Sequence, residues 1–156
     1  IRAILYQMRG RKVVSKSITQ DQIRKLIKRT QTDPQIKKYT HDAKRFKNLT
    51  TFRKWQKGKT IYTLSGKNGE LLGLIWFGKK RNVLAPGYAF TFAIRIYPPI
   101  RGKGYALKFM KEVFTDFKHQ GIWLTTRRDN LPAIRLYKKF GFRKIAEAEK
   151  ELVMAL

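Results

Sequence analysis

A chain of 156 residues has the length of one packed domain, and its 42% hydrophobic and 13% aromatic residues supply core material that a disordered chain lacks. Cysteine is absent and histidine occurs only as His41 and His119, which excludes disulfide frameworks, thiolate metal sites and a histidine-built zinc centre. Thirty-six Lys and Arg against ten Asp and Glu give a formal charge of +26, so the surface attracts anions: nucleic acid, phosphorylated cofactors or acidic membranes.

Apolar stretches such as Leu71 to Phe77 fall far short of the roughly 20 residues of a membrane span. The opening Ile1-Arg2-Ala3-Ile4-Leu5-Tyr6 has no signal-peptide pattern. The expectation is a cytoplasmic chain without a membrane partner, organised as a single domain over residues 1–156. The missing initiator Met leaves a trimmed start and a lost targeting segment open.

In chain order, Val13 to Ile18 reads as a strand. Thr19 and Gln22 form a capping box, Ile18 and Ile23 a hydrophobic staple, and the stripe Ile23, Leu26, Ile27 predicts a helix ending near Thr30. From 31 to 50 the only signal is Asp33-Pro34, a turn or helix start; 51–57 predicts a short helix stopped by Gly58. Lys59 to Ser65 and Glu70 to Lys79 are two strands whose connection contains Asn68-Gly69, a pair that supplies the positive φ angles of a tight hairpin. A basic loop over 78–87 follows. Tyr88 to Tyr97 then alternates Phe90, Phe92, Ile94 and Ile96 on one face and ends at Pro98-Pro99. From 104 to 118 one helical stripe carries Leu107, Met110, Val113, Phe114 and Phe117. Ile122 to Arg127 predicts a strand, Asn130 a helix cap, Leu131 to Phe140 a helix, and two short strands close the chain. The predicted order is β-α-α-β-β-β-α-β-α-β-β, an α/β (α+β) fold.

Two segments could carry chemistry. Arg101-Gly102-Lys103-Gly104-Tyr105-Ala106 lies between a strand and a helix start, where free N–H groups and the helix dipole favour an anion and glycine lets backbone close around phosphate. Arg101 and Lys103 add mobile positive charge; the plain alternative is a Gly-rich turn. Ala133, Leu136, Tyr137 and Phe140 share one helix face, which makes Tyr137 either a core aromatic or a phenol at a sheet cleft that can donate a proton.

The run Ile94-Arg95-Ile96-Tyr97-Pro98-Pro99-Ile100-Arg101-Gly102-Lys103-Gly104-Tyr105-Ala106, followed by Asn130-Leu131-Pro132-Ala133-Ile134-Arg135-Leu136-Tyr137-Lys138-Lys139-Phe140-Gly141-Phe142, resembles the GCN5-related N-acetyltransferase (GNAT) family. The loop matches the family's Arg/Gln-x-x-Gly-x-Gly/Ala signature, and the helix matches its Asn, then Ala, then Tyr four residues before Gly-Phe. The resemblance implies a mixed, largely antiparallel central sheet flanked by helices, with splayed central strands. It also implies acetyl-CoA (coenzyme A) as cofactor, a primary amine as acceptor, direct attack and no metal. Ile94 and Ile96 would pair through their backbone with pantetheine, the amides of Arg101, Gly102, Lys103, Gly104, Tyr105 and Ala106 would hold the pyrophosphate, Asn130 would contact the pantetheine arm, and Tyr137 would protonate the departing thiolate. An N–H near Ile94 could stabilise the oxyanion.

The sequence departs from the family in its base. No carboxylate occurs from 86 to 105, and Thr125 stands where relatives that acetylate peptide N-termini often carry Glu. Glu70 and Asp129 are the nearest candidates by element order, each also readable as a turn residue or cap. Lys79-Lys80-Arg81, Arg127-Arg128 and Lys138-Lys139 could rim the acceptor side, and the charge favours a neutral or anionic acceptor: an amino acid, a nucleotide-linked amine or an aminoacyl-tRNA. Tyr39, His41, Phe46 and Trp55 could shape the acceptor pocket or simply pack. RNA or tRNA on the basic surface, and a monomer or homodimer, remain open. The rival from another class is a non-catalytic CoA-sensing or nucleic-acid-binding module on the same fold.

Overall fold

The computed structural model describes residues 6–8 and 12–156, with side chains from Lys12 onward. One eight-stranded sheet runs through it: β1 (Tyr6–Met8), β2 (Lys12–Ser15), β3 (Lys59–Ser65), β4 (Leu71–Lys79), β5 (Phe90–Ile96), β6 (Ile122–Arg127), β7 (Arg143–Glu147) and β8 (Glu151–Ala155), in the spatial order β1-β2-β3-β4-β5-β6-β8-β7. Every neighbouring pair is antiparallel except β5 with β6. The predicted mixed, largely antiparallel sheet is therefore present. β4 is its spine, with every residue from Leu71 to Gly78 buried.

Alternation along the strands sorts the core into two layers. Tyr62 and Leu64 of β3, with Ile75 and Phe77 of β4, meet Phe109, Met110 and Val113 of α5 (Tyr105–Asp116) and Tyr137 of α6 (Leu131–Phe140). Ile61, Leu74 and Trp76 point the other way, onto Ile23 and Leu26 of α1 (Gln20–Thr32) and Phe52 of α4 (Leu49–Gln56). The α1 capping box forms as predicted: the Thr19 hydroxyl accepts from the Gln22 N–H and the Gln22 side chain from the Thr19 N–H, both at 3.1 Å. At the β3–β4 connection Asn68 and Gly69 both adopt positive φ, 56° and 74°.

The structure corrects the sequence reading mainly before residue 60. Residues 31–50 fold into α2 (Pro34–Tyr39) and α3 (Asp42–Arg45), and α4 starts at Leu49, with the Asn48 side-chain oxygen accepting from the Thr51 N–H at 2.8 Å. Each of the two short helices buries one residue, Ile36 and Asp42, so there is no apolar stripe for periodicity to reveal. The first predicted strand is shorter, Lys12–Ser15, and β1 was not expected. No described helix is long and apolar enough to cross a membrane.

Candidate active site

β5 and β6 pair only at Phe90↔Ile122 and Thr91↔Trp123, although β5 runs on to Ile96 and β6 to Arg127. Beyond that point the two strands splay. Tyr97 donates its N–H to Leu72 on the β4 side, whereas Phe90 donates to Gly121 on the β6 side. Backbone alternation therefore turns the N–H and C=O groups of Phe92, Ile94 and Ile96 into the gap. A cleft of about 1060 Å³ passes through it, from Ala106, Asn130 and Tyr137 on the α5–α6 side to Trp55, Trp76 and Lys59 on the other. That is at the upper end of the roughly 300–1,000 Å³ usual for ligand pockets.

At one mouth of the cleft lies the loop into α5. Gly102 and Gly104 take φ of 77° and 82°, and a Cβ added at either meets nothing within 4 Å, so the space above the backbone is open. The loop's six amides are not equivalent. Arg101 donates its N–H to Pro98 and Lys103 to Ile100, both at 3.3 Å. Among the described residues the N–H groups of Gly102, Gly104, Tyr105 and Ala106 have no carbonyl partner at the helix start, the arrangement that attracts an anion.

The Arg101 side chain is not the mobile charge the sequence suggests. It binds both oxygens of buried Asp33, at 3.2 and 2.6 Å, and donates to the Ile96 carbonyl at 3.1 and 2.9 Å. Burial raises the Asp33 carboxyl, but the Arg101 hydrogen bond and charge more than offset this and hold it below its ordinary value. Lys103 is exposed and does not line the cleft.

Arg95 repeats the arrangement. Its guanidinium binds Asp42 at 2.6 and 3.0 Å, donates to the Ile94 carbonyl at 2.9 Å, and stacks 4.8 Å from the Trp76 ring centre. Asp42 is 1% exposed and also bonds Arg45 at 3.1 Å. Burial raises its carboxyl, and the charges of Arg95 and Arg45 bring it below the ordinary value.

On α6 the Asn130 side-chain oxygen caps the helix, accepting from the Ala133 N–H at 3.4 Å, while the residue also lines the cleft. Tyr137 packs its ring on Phe92 and Phe142 and reaches the cleft; its hydroxyl bonds no other described residue. Both readings of Tyr137 thus hold at once, ring in the core and phenol at the gap. Burial pushes the phenol above its ordinary pKa, with Arg95 opposing, so it is a protonated donor at neutral pH.

Neither candidate base survives. Glu70 belongs to the hairpin turn, where its carbonyl accepts from Gly66 at 2.8 Å, and does not line the cleft. Asp129 binds the Arg127 guanidinium at 3.0 and 2.8 Å, which holds its carboxyl below the ordinary value. Among the described residues lining the cleft, Glu151 is the one carboxylate and His41 the one imidazole. Of the predicted basic rim, Lys80, Arg81 and Arg127 line the cleft, while Lys79, Arg128, Lys138 and Lys139 do not. Lys38, Arg45, Lys59 and Lys150 also line it and were not singled out by the sequence, which gives lone lysines no distinguishing signal. Tyr39, His41 and Trp55 are in its wall, whereas Phe46 is fully buried beneath Trp55 and Trp76.

Comparisons with known proteins agree with this geometry. No curated protein sequence matches the chain. Among solved structures, an aminoglycoside N(6')acetyltransferase from Legionella pneumophila superposes with a TM-score of 0.71 at 19% identity, covering 94% of this chain and 92% of its own. A spermidine N-acetyltransferase from Vibrio cholerae, in complex with CoA and spermine, gives 0.69 at 17%, covering 92% of each. A ribosomal-protein-S5-alanine acetyltransferase from Vibrio fischeri gives 0.66 at 11%, covering 97% and 94%. At such identities the likeness carries the fold alone. The sequence profile of the Acetyltransferase (GNAT) family, however, matches residues 21–142, which span the splayed strands, the glycine loop and α6. The chain therefore belongs to the GNAT acetyltransferase family, N-acetyltransferases whose acyl donor is acetyl-CoA.

Proposed function

We propose that this protein moves an acetyl group from acetyl-CoA onto a primary amine by direct attack, and that the body of the acceptor is neutral or anionic. The observation that carries the reading is the splay: two central strands stop pairing at Thr91 and Trp123, leaving donors aimed into a through-going cleft. When bound, acetyl-CoA supplies an activated thioester. The backbone N–H groups of Ile94 and Ile96 orient the pantetheine arm, and the Ile94 N–H polarises the acyl carbonyl. The free amides of Gly102, Gly104, Tyr105 and Ala106 hold the diphosphate, and the side-chain amide of Asn130 holds the arm beside α6. Arg101 and Lys103 contribute through the shape and charge of the loop.

Tyr137 donates its proton to the sulfur as the carbon–sulfur bond breaks and the carbon–nitrogen bond forms. Its raised pKa and unbonded hydroxyl support this role. The amine's proton leaves into the open, basic half of the cleft, where His41 and Glu151 are the neighbouring acceptors. The excess of cations there supports a neutral or anionic acceptor over a polyamine. Thiol release from acetyl-CoA across an amine panel that includes aminoacyl-tRNA tests the reading. Turnover with at least one amine is expected. Failure with all of them, together with steeply salt-dependent RNA binding, would instead establish a nucleic-acid-binding module.

A further inference from the structure

The acceptor half of the cleft has a floor whose composition is informative. Lys59, Gly78, Thr91 and Trp123 lie in one row across four strands, and Trp76 and Ala93 pair in a parallel row. Gly78, Thr91 and Ala93 are small, so a trough runs between Trp55 and Trp76 on one side and Trp123 on the other. At its β3 edge lies the Lys59 side chain. A Cβ at Gly78 would come within 2.9 Å of its Cδ and 3.1 Å of its Cε, so the stem lies directly on the glycine of β4. The ammonium donates to the Trp55 carbonyl at 3.3 Å and sits 5.2 Å from the Trp55 ring centre.

Among the described residues this half-buried cation has no anionic partner. Among the described residues, neither Lys59 nor Lys80 forms an ion pair. Lys80 and Arg45 are the charges that act on Lys59, and the carboxylate that Arg45 binds, Asp42, is already shared with Arg95. Burial, then the charges of Lys80 and Arg45, push the Lys59 ammonium below its ordinary pKa. A cation clustered with others, drawn out of water, and met only by a carbonyl and an indole face is relieved by an incoming anion.

Building on the acetyltransferase reading, we propose that Lys59, backed by Lys80 and Arg45, seats an acidic group of the acceptor, which is thus a small primary amine bearing a carboxylate or phosphate-type group several bonds from its nitrogen. The spacing follows from the register. Lys59 stands at the β3 end of the last paired row, about 10 Å across the sheet from β5, and the gap opens at Ala93 and Thr125, two residues or about 7 Å further along the strands. An acid at Lys59 therefore leaves its amine at the gap only if a chain of that reach separates them. Trp55 and Trp76 flank that chain with apolar surface.

The test uses the whole chain with 5-aminopentanoate, 3-aminopropylphosphonate and the uncharged 5-aminopentanamide, following thiol release from acetyl-CoA for the wild type, Lys59→Met and Lys59→Arg. Methionine keeps an unbranched stem over Gly78 without the charge, and thermal melting checks the fold of each variant. Wild type is expected to prefer an acid-bearing amine over the amide by about tenfold or more in kcat/KM. Lys59→Met should remove that preference through the acceptor KM, with the acetyl-CoA KM unchanged, and Lys59→Arg should keep part of it. The carboxylate and phosphonate arms tell which acid is seated. Equal use of acid and amide by the wild type, or a preference that persists in Lys59→Met, overturns the seat while leaving the enzyme intact. Should no amine release thiol, the acetyltransferase reading fails separately. Calorimetry of 5-aminopentanoate and of 3-aminopropylphosphonate then decides: heat from either that Lys59→Met abolishes supports the anion seat, and no binding to the wild type overturns it.

Discussion

Arg101 reaches back five residues to Ile96, its guanidinium donating twice to that residue's carbonyl oxygen at 3.1 and 2.9 Å. Arg95 donates once to the carbonyl of the preceding residue, Ile94, at 2.9 Å. Both carbonyls face the side of β5 that lacks a strand neighbour. Sheet edges normally leave such acceptors to water or another chain. Here arginines satisfy them, and buried Asp33 and Asp42 in turn fix the arginines. The splayed edge is thereby stable without a ligand while its N–H donors stay available. Because Asp33 caps α2 and Asp42 opens α3, the same pairs tie the acceptor-side helices to the strand proposed to carry the cofactor.

Asp33→Asn weakens the anchor of Arg101 without removing any group that would touch a substrate. Loss of one charge-assisted hydrogen bond, about 1.5 kcal/mol, should loosen the loop and raise the acetyl-CoA KM about tenfold, with kcat changing less. Steady-state kinetics at varied acetyl-CoA check this. An unchanged KM would mean that the loop holds its shape without Asp33.

Tyr137→Phe keeps the ring against Phe92 and Phe142 and removes the hydroxyl alone. Turnover should fall about 100-fold or more, the scale of general acid catalysis, with CoA affinity by calorimetry within a few-fold. Wild-type turnover in this variant would take Tyr137 out of the mechanism.

Most of the fold from residue 59 onward was legible because each element there carries a repeating apolar pattern: the alternation of Phe90 to Ile96, the stripe from Leu107 to Phe117, and caps at Asn68-Gly69 and Asn130. Of α2 only its start at Asp33-Pro34 was legible and of α3 nothing, since Asp33 and Asp42 hold these helices through arginines 68 and 53 residues away, and no local period encodes that. The same distance hid the real role of the Arg101 side chain. The loop's open amides could be located from its glycines, but which were free depended on turn bonds to Pro98 and Ile100. Lys59 was invisible because its meaning comes from the glycine opposite it on β4.

Acidification should act through these pairs. Asp33 and Asp42 both have folded pKa values below the ordinary 3.8, so the unfolded chain binds protons first as pH falls. Their contribution is complete above about pH 4–5 and is lost as pH drops through the folded values. Melting temperature should be insensitive to them from pH 5 to 7 and decline below about pH 4. Asp42→Asn leaves Arg95 buried without its counter-charge and should cost about 3–5 kcal/mol, with a shallower acid limb. An acid limb identical to wild type would assign the transition to other carboxylates.

Gly104→Ala tests the loop from the backbone side. At φ 82° a Cβ is strained, at about 1 kcal/mol, though it would touch no protein atom within 4 Å. Its methyl would occupy the open space above the free amides. The acetyl-CoA KM should therefore rise more than stability loss explains, with about tenfold as the expected scale. A variant that melts slightly lower yet binds CoA normally would move the diphosphate elsewhere.

Tyr97, on the far side of β5 from the gap, offers a test that bypasses the reaction. Its hydroxyl is buried with no hydrogen-bond partner among the described residues, and burial drives its phenol far above the ordinary pKa, so it remains neutral throughout the accessible range. The ring is 1% exposed within the α1-side core and lies beneath Arg29, 5.9 Å from the ring centre. A buried hydroxyl without a partner costs about 1–3 kcal/mol of desolvation, whereas phenylalanine fills the same space without that cost. Tyr97→Phe should thus stabilise the protein by about 1 kcal/mol, a rise of roughly 2–4 °C in Tm at this chain length, with kinetics unchanged. A lower Tm would show that the hydroxyl is satisfied in solution, most simply by a water held among Asp42, Arg95 and Arg29, the charges that surround it.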